Sequence, residues 1–377
     1  MKVKAIICEL NPFHQGHQYL IDQAIKGEDR NRTCLVAAMS GPFVQRGTPA
    51  ILDKWTRARI AIDQGFDLVL EIPAAYVLQS ARFFAYGSLK SLSLLKKLDC
   101  LVFGVEDIFF EEDFQKRLAD LNQPGIQESI QDKVKAGLPY RQAVSQSLGM
   151  DLGPNTILAM EYMAMADELH LNVHFQAISR RGSNYHNESL DSPTPSASAI
   201  RRGLIQGKLI KDDLLGHELI DQADFRESLD PLKAYLDLRA ILNPMDFTAS
   251  PLFETGMDFR LKESLEKTES VDQAILEAAN KRQSASRYRR MLVTSLLGME
   301  TGKLPDITFL RPLAFNERGR GLLKDLDCPV VQKVASADLD PESQALLEIS
   351  LRAQALQEYL LGLPAKMDYR QTYFIPS

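Results

Sequence analysis

Two histidines, His14 and His17, have the side-chain type and spacing for phosphate chemistry, with Gly16 between them. They follow a short apolar run rich in β-branched residues, 3–8, which is typical of a buried strand, and they precede a stretch with helical spacing. A helix N-terminus offers free N–H groups and a positive dipole end, which favour bound phosphate. We therefore predict that both histidines face a nucleotide phosphate and that Gly16 allows its close approach. The alternative is that they only cap the helix or lie on its surface.

A second element for phosphate binding is predicted downstream, where Ser196 and Ser198 precede Arg201. Hydroxyls at a helix start, followed by an arginine, supply small donors, backbone N–H groups and a charged fork. Serine-rich helix starts are common, so this element alone is weak evidence for a phosphate site. It becomes strong evidence because the histidines lie at the same end of the predicted domain. Arg180 is a further candidate fork. No third His, Cys or carboxylate stands near the histidines at a metal-binding spacing, so no metal site is predicted.

Three other segments carry polar or charged residues whose role the sequence leaves open. Residues 53–59 place Lys54, Arg57 and Arg59 on a helix, where they either contact phosphate or RNA or form a solvated face. Residues 45–48 form either a substrate loop or a simple turn. His186 lies in a loop rich in Ser, Pro and Asn, 183–199, and the sequence does not decide whether it touches the nucleotide.

A basic helix face in the C-terminal half is the best candidate for contact with an RNA backbone. The chain has a net charge of -6, so a nucleic-acid partner requires a local basic patch. A solvated face is the usual explanation of such a cluster. Tyr288, which stands among these cations, either stacks on an unpaired base or belongs to the core. The five basic residues are Lys281, Arg282, Arg287, Arg289 and Arg290.

The elements that position these residues follow an alternating pattern up to about residue 205. Apolar strand-like runs separated by helical stretches predict βαβ units and a parallel sheet, hence an α/β, Rossmann-like domain over residues 1–205. Beyond it, helical patterns at 217–241, 257–281, 284–298 and 341–361, with a short strand pair at 307–315 and 329–335, predict a mostly helical domain over residues 206–377. The predicted strands of the first domain lie at 3–8, 33–39, 66–72, 100–104 and 174–178.

Bulk composition is that of a globular protein in a reducing compartment. Of the 377 residues, 45% are hydrophobic and 25% charged, which is ordinary for such proteins. The four cysteines stand far apart without a CxxC spacing, so neither a disulfide framework nor a zinc site is predicted. The first apolar run is too short for a signal peptide, and no stretch approaches a membrane span. We expect a cytoplasmic protein.

The histidine motif and the later serine–arginine element together resemble the signature of the nucleotidyltransferase superfamily. Further motifs resemble, more specifically, the tRNA(Met) cytidine acetate ligase family of bacteria, and they cover essentially the whole chain. The first domain is accordingly identified as a nucleotidyltransferase-type domain, and the second is expected to bind tRNA. The matching stretches are 5–17, 39–47, 53–55, 67–73, 154–158, 180–186 and 309–316.

The resemblance implies an ATP-dependent ligase that forms acetyl-adenylate from acetate, releasing pyrophosphate. It implies transfer of the acetyl group to the exocyclic amine of the wobble cytidine in elongator tRNA(Met), which gives N4-acetylcytidine. ATP, accompanied by Mg²⁺, is the expected co-substrate, and no protein partner is implied. One departure is Val105-Glu106, where a small hydroxyl residue is expected before the glutamate; a local hydrogen bond is therefore in doubt. The implied ATP site comprises Ile7, Cys8, Glu9, Leu10, Asn11, Pro12, Phe13, His14, Gln15, Gly16, His17, Gln18, Tyr19, Leu20, Gly104, Asn155 and Arg180.

Two other classes of function remain as alternatives. A small-molecule adenylyltransferase of cofactor biosynthesis would use the same histidine chemistry, but about 170 residues beyond Arg201 then need a purpose. A non-catalytic ATP- or RNA-binding protein is disfavoured because both histidines and the downstream serine–arginine element are intact. Adenylation of a carboxylate itself needs in-line positioning and stabilisation of charge at phosphate, and no enzyme nucleophile.

Overall fold

A six-stranded sheet lies at the centre of the fold in the computed structural model. Its strands are β1 (Lys2–Cys8), β2 (Thr33–Ser40), β3 (Leu68–Ile72), β4 (Cys100–Val105), β5 (His174–Ser179) and β6 (Pro312–Phe315). The order across the sheet is β5-β4-β1-β2-β3-β6, with the first five strands parallel and β6 antiparallel to β3. The structure describes residues 1–106, 120–121, 123–138, 140–150, 152–180, 195–220, 242, 244–302, 304–371 and 373–375.

Both faces of this sheet are covered, which explains why its strands are apolar almost throughout. Alternate residues of a strand point to opposite faces. Accordingly, Ala5 and Val36 belong to one hydrophobic core, whereas Ile6 and Leu35 belong to the other. The predicted α/β fold with a Rossmann-like parallel sheet is therefore confirmed.

Helices alternate with the strands in the first half of the chain and predominate in the second. The first half contains α1 (Gln15–Ile25), α2 (Lys54–Asp63), α3 (Ala74–Val77), α4 (Ala81–Ser93), α5 (Pro124–Lys135), α6 (Tyr140–Ser147), α7 (Pro154–Glu168) and α8 (Ala197–Ile205). The second contains α9 (Met257–Lys267), α10 (Val271–Ala278), α11 (Ala285–Leu296), α12 (Glu317–Leu322), α13 (Pro341–Leu361) and α14 (Met367–Arg370). No helix within the described residues is long and apolar enough to cross a bilayer.

The strand predicted at 307–315 is present as the shorter β6, but no strand forms at 329–335, so the predicted strand pair is wrong. β6 instead pairs with β3, where it covers an edge that would otherwise present unpaired N–H and C=O groups. The segment from 329 makes a single bridge, between Leu310 and Val330. The helix predicted at 257–281 is two helices, because Ser270 is the N-cap of a new helix that begins at Val271, with its side chain accepting the N–H of Gln273.

C-terminal residues pack closely against the first half of the chain. The N–H of Ala74 donates to Ser350 Oγ at 3.1 Å, and Gln357 Nε2 donates to the carbonyl of Ala50 at 2.8 Å. The functional boundary at residues 205/206 stays a prediction. Within the helix predicted at 217–241, His217–Leu219 forms a 3₁₀ turn, whereas 221–241 lie outside the described residues.

Candidate active site

The histidine motif follows β1, the strand at which the order of strand addition in the sheet reverses. β1 is flanked by β2 on one side and β4 on the other, so successive strands are added first on one side and then on the other. In open α/β sheets the crevice at the carboxyl ends of such strands binds ligands. Residues 9–14 leave β1 at this crevice, and β4 ends there at Val105.

His14 and His17 hold each other and the start of α1 in a reciprocal capping arrangement. Nδ1 of His14 accepts the Gly16 N–H at 3.0 Å, and Nδ1 of His17 accepts the His14 N–H at 3.3 Å. Their rings stack with centroids 3.8 Å apart. The capping alternative is thus correct for one nitrogen of each ring, and it leaves both Nε2 atoms for a ligand.

Both histidines are neutral at pH 7. Burial, aided by the charges of Arg180 and Arg201, lowers the pKa of His14 to about 4. Burial, followed by the charges of His14 and Arg180, lowers the pKa of His17 well below its ordinary value. A neutral imidazole whose Nδ1 accepts a hydrogen bond carries its proton on Nε2. The pair therefore offers two N–H donors, and positive charge must come from other groups.

Two arginines are the candidates for that charge, and their role toward phosphate stays a prediction. The Arg201 guanidinium donates from NH1 to the carbonyl of Asn11 at 2.5 Å, which places it against the loop before α1. Burial lowers the pKa of Arg201 to about 10, so it remains a cation. Its charge helps to lower the pKa of His14. Arg180 follows β5, where its N–H donates to the carbonyl of Val105 at 3.0 Å. Its side chain is exposed, and its charge helps to lower the pKa of both histidines.

The two serines of the second predicted element begin α8. Ser196 is the N-cap, with Oγ accepting the N–H of Ala199 at 3.2 Å, and its hydroxyl lies 3.0 Å from that of Ser198. Capping thus uses one acceptor of Ser196. Because Arg201 lies on the same helix, the start of α8 and the loop after β1 are brought together.

Gly104 and Asn155 reach the same end of the sheet through β4 and α7. A Cβ at Gly104 would lie 3.4 Å from Cγ of Arg180, an ordinary van der Waals contact, so Gly104 lies directly beside the arginine stem. Glu106 accepts both N–H groups of Asn155, from the backbone at 3.1 Å and from Nδ2 at 2.5 Å. It also accepts the backbone and hydroxyl of Thr156, at 3.0 Å and 3.2 Å. The hydrogen bonds at Glu106 are therefore present despite the departure at Val105.

Both explanations offered for the cations of residues 53–59 are wrong for Lys54 and Arg57, because these side chains are buried. Lys54 is 0% and Arg57 1% exposed. Nζ of Lys54 lies 2.8 Å from Glu71 and 2.9 Å from Asp368. Arg311 contacts the same two carboxylates, at 3.3 Å and 3.0 Å. These four buried charges therefore form one closed network.

Arg57 ties together the ends of the first two strands. NH1 donates to the carbonyl of Glu9 at 2.7 Å and to that of Ser40 at 3.1 Å. NH2 donates to the carbonyl of Gly41, and Nε to that of Leu52 at 3.2 Å. This role was not predicted from the sequence, where the alignment of Arg57 with apolar helix positions was the available signal. Arg57 fixes the backbone from which the histidine loop departs.

The turn at residues 45–48 links that loop to the C-terminal helices. The N–H of Gln45 donates to Oε1 of Glu9 at 2.8 Å, and its carbonyl accepts NH1 of Arg290 at 3.1 Å. Gly47 has a φ of +77°, and a Cβ there would lie 2.6 Å from the backbone nitrogen of Arg290. The turn is thus packed between the loop that carries the histidines and α11.

The basic side chains at residues 281–290 differ in their exposure and in their contacts with the rest of the protein. Arg287 lies 2.7 Å from Glu254, and Arg289 lies 2.6 Å from Asp272. Arg290 contacts the turn at Gln45, and burial lowers its pKa to about 10. Tyr288 is 0% exposed, so it belongs to the core and does not stack on a base. Lys281 and Arg282 are exposed.

Within the described part of the chain, no group of three or more His, Cys, Asp or Glu side chains could hold a metal ion. His186 and the motif residues 181–186 lie outside the described residues, as do 187–194 of the loop.

Sequence comparison connects this site with known proteins. Residues 1–372 match the HIGH Nucleotidyl Transferase family. A Clostridium perfringens protein named tRNA(Met) cytidine acetate ligase is 31% identical, over 96% of each chain. A protein of the same name from Streptococcus gordonii is 34% identical, over 97% of this chain and 96% of its own length.

Comparison of structures agrees on the fold. Apo TmcAL from Thermotoga maritima matches with a TM-score of 0.86 at 24% identity, covering 100% of both chains. The same protein bound with alpha-thio ATP matches with a TM-score of 0.84, also over 100% of both chains.

Proposed function

The chain belongs to the tRNA(Met) cytidine acetate ligase family, and from this membership we propose that it catalyses a two-step reaction. In the first step, an acetate oxygen attacks the α-phosphorus of ATP and pyrophosphate leaves. In the second step, the exocyclic amine of the wobble cytidine of elongator tRNA(Met) attacks the acetyl carbonyl carbon. AMP leaves, and N4-acetylcytidine is formed.

The observation that carries the first step is the pair of neutral histidines at the N-terminus of α1. We propose that the two Nε2–H groups donate to oxygens of the α-phosphate, where negative charge develops during attack. Arg180 and Arg201 supply the positive charge, together with the positive dipole end of α1. Attack by carboxylate on phosphorus requires no enzyme nucleophile, so the site works by orientation and electrostatics.

For the nucleotide itself, we propose that ATP lies along residues 7–20, between Gly104, Asn155 and the arginine pair. Support comes from the convergence of β1, β4 and α8 at one end of the sheet. The Thermotoga maritima relative, whose fold this chain shares, is seen with an ATP analogue. Mg²⁺ would then be held by the ATP phosphates, since no carboxylate cluster of the described residues is suited to it.

The function is tested by incubating the purified protein with ATP, acetate and unmodified tRNA(Met), and by mass analysis of the tRNA nucleosides. We expect N4-acetylcytidine only when all three are present, with AMP and pyrophosphate formed alongside. A tRNA(Met) with uridine at the wobble position is the control and should stay unmodified. Absence of acetylcytidine, combined with adenylation of a small nucleotide, would establish the adenylyltransferase alternative instead.

For the RNA, we propose that residues 206–377 provide the contact and that Lys281 and Arg282 bind its phosphates. Both are exposed, although Arg282 also lies 3.6 Å from Glu254. Arg287 and Arg289 are more buried and contact acidic side chains, and Arg290 contacts the carbonyl of Gln45. Backbone contacts of this kind add affinity and make it dependent on salt.

Reversing both exposed charges, with Lys281→Glu and Arg282→Glu, is expected to weaken tRNA binding. The slope of log affinity against log salt should flatten by about 0.7–0.9 for each lost phosphate contact. The measurement is tRNA affinity across a salt series. The control double variant, Lys135→Glu with Arg320→Glu, changes the net charge equally at side chains 75% and 57% exposed. Equal affinities and slopes for the two double variants would place the RNA contact elsewhere.

A further inference from the structure

Acetyl transfer to cytidine releases a proton for which the phosphate-binding groups provide no acceptor. As the amine nitrogen forms its bond to the acetyl carbon, the carbon–oxygen bond to AMP breaks and the electron pair leaves with the phosphate. The attacking nitrogen must then lose one proton. An exocyclic amine is weakly basic, so a positioned general base accelerates this step.

The groups already placed in the site cannot take that proton. Nε2 of each histidine already carries a hydrogen, because Nδ1 accepts a backbone N–H. Glu106 is occupied by four hydrogen bonds from the start of α7. Burial raises the pKa of Cys8 to about 12, so its thiol stays protonated.

Glu9 is a carboxylate at the same strand end whose surroundings suit an acceptor. It is the first residue after β1 and is partly exposed. Its carbonyl is held by Arg57 at 2.7 Å, and its Oε1 by the N–H of Gln45 at 2.8 Å. Oε2 has no hydrogen-bond partner within the described residues. Backbone and side chain are therefore fixed while one oxygen remains available.

The carboxylate of Glu9 suits the second substrate better than ATP, although the Glu9 backbone belongs to the loop proposed to line the nucleotide. An anion beside the phosphate-binding arginines repels the negative charge of ATP. The Glu9 carboxylate is such an anion, since its charge acts to raise the pKa of Arg201. On its other side, Glu9 is bonded to the turn at Gln45, which packs against α11 of the part proposed to bind RNA. Glu9 thus lies between the phosphate site and the C-terminal helices.

We propose that the carboxylate of Glu9 accepts the proton from the attacking cytidine amine in the second step. This inference rests on the proposed function. Glu9 contacts the amine through Oε2, and the Gln45 N–H and Arg57 hold it there.

The test isolates the second step. Enzyme-bound acetyl-adenylate is formed from ATP and acetate, tRNA(Met) is added, and acetylcytidine is measured in a single turnover by rapid quenching. In Glu9→Gln, whose amide oxygen can still accept from Gln45, the transfer rate constant should fall by about 10²–10⁴-fold. Glu9→Asp keeps a carboxylate and should recover part of the rate. Hydroxylamine, an unprotonated nucleophile at neutral pH, traps the bound adenylate as acetohydroxamate, so the transfer rate constant of each variant is expressed per trapped adenylate.

The outcomes separate this inference from the function on which it rests. Transfer by Glu9→Gln at the wild-type rate would overturn the inference. An equal loss of hydroxylamine trapping and of transfer, or no recovery in Glu9→Asp, would also overturn it, because Glu9 would then serve the adenylate or the fold. A wild-type protein that forms trappable adenylate but no acetylcytidine would instead disprove the proposed RNA substrate.

Discussion

Replacing His14 or His17 by alanine is expected to lower the rate of acetyl-adenylate formation by about 10²–10³-fold, the usual cost of removing one donor to a developing charge. Each variant loses one Nε2–H group beside the proposed α-phosphate position. The measurement is acetate-dependent exchange of pyrophosphate into ATP. His174→Ala, at an exposed position at the start of β5, is the matched control and should keep the wild-type rate.

The capping role of His14 has to be separated from its role toward phosphate. Loss of an N-cap costs about 1 kcal/mol of stability, so His14→Ala changes both properties. Asparagine at position 14 can still accept the Gly16 N–H but has no imidazole donor. We expect His14→Asn to be as stable as the wild type and as slow as His14→Ala. Wild-type exchange by His14→Asn would show that the histidine only caps α1.

The pH dependence of the same reaction distinguishes neutral from charged histidines. Because the pKa of His14 is lowered to about 4, the neutral form prevails throughout the range from pH 6 to pH 8. Adenylation should therefore not decline across that range through loss of a histidine proton. A decline centred near the ordinary histidine pKa, absent from His14→Asn, would mean that an imidazolium is required.

Replacing Lys54 by methionine is expected to lower the free energy of unfolding by about 3–5 kcal/mol, as for other buried ion pairs that lose one partner. The change leaves Glu71 and Asp368, both buried, with Arg311 as their remaining cation. Denaturant-induced unfolding measures the effect. Lys267→Met removes an exposed lysine paired with Glu263 and should cost less than about 1 kcal/mol.

The double variant Lys54→Met with Asp368→Asn tests whether the loss comes from uncompensated charge. Burial raises the pKa of Asp368, but the charges of Lys54 and Arg311 outweigh it, so the pKa is lowered overall. A lowered pKa contributes stability above the unfolded-state value, and this stability is lost as the pH falls through the folded-state value. The double variant should be less destabilised than the sum of its parts. Strict additivity would mean that the two residues act independently.

Local features of this protein were determined by its sequence. The spacing of apolar residues gave the five parallel strands and both ends of α13, Pro341 and Leu361. The histidine pair between a strand and a helix indicated the position of the candidate site, because a βα junction places its loop at the carboxyl edge of the sheet. These inferences depend on neighbours within a few residues, which the sequence displays directly.

Tertiary structure decided which charges are exposed and which are used. Helical spacing could not reveal that Lys54 is buried, because its partner Asp368 is 314 residues away along the chain. The same holds for Arg287 and Arg289, whose acidic partners lie on other segments. The histidine protonation state likewise required the backbone donors and the depth of burial. A sequence shows which groups a chain carries, whereas their desolvation and charge neighbours arise only when distant segments pack.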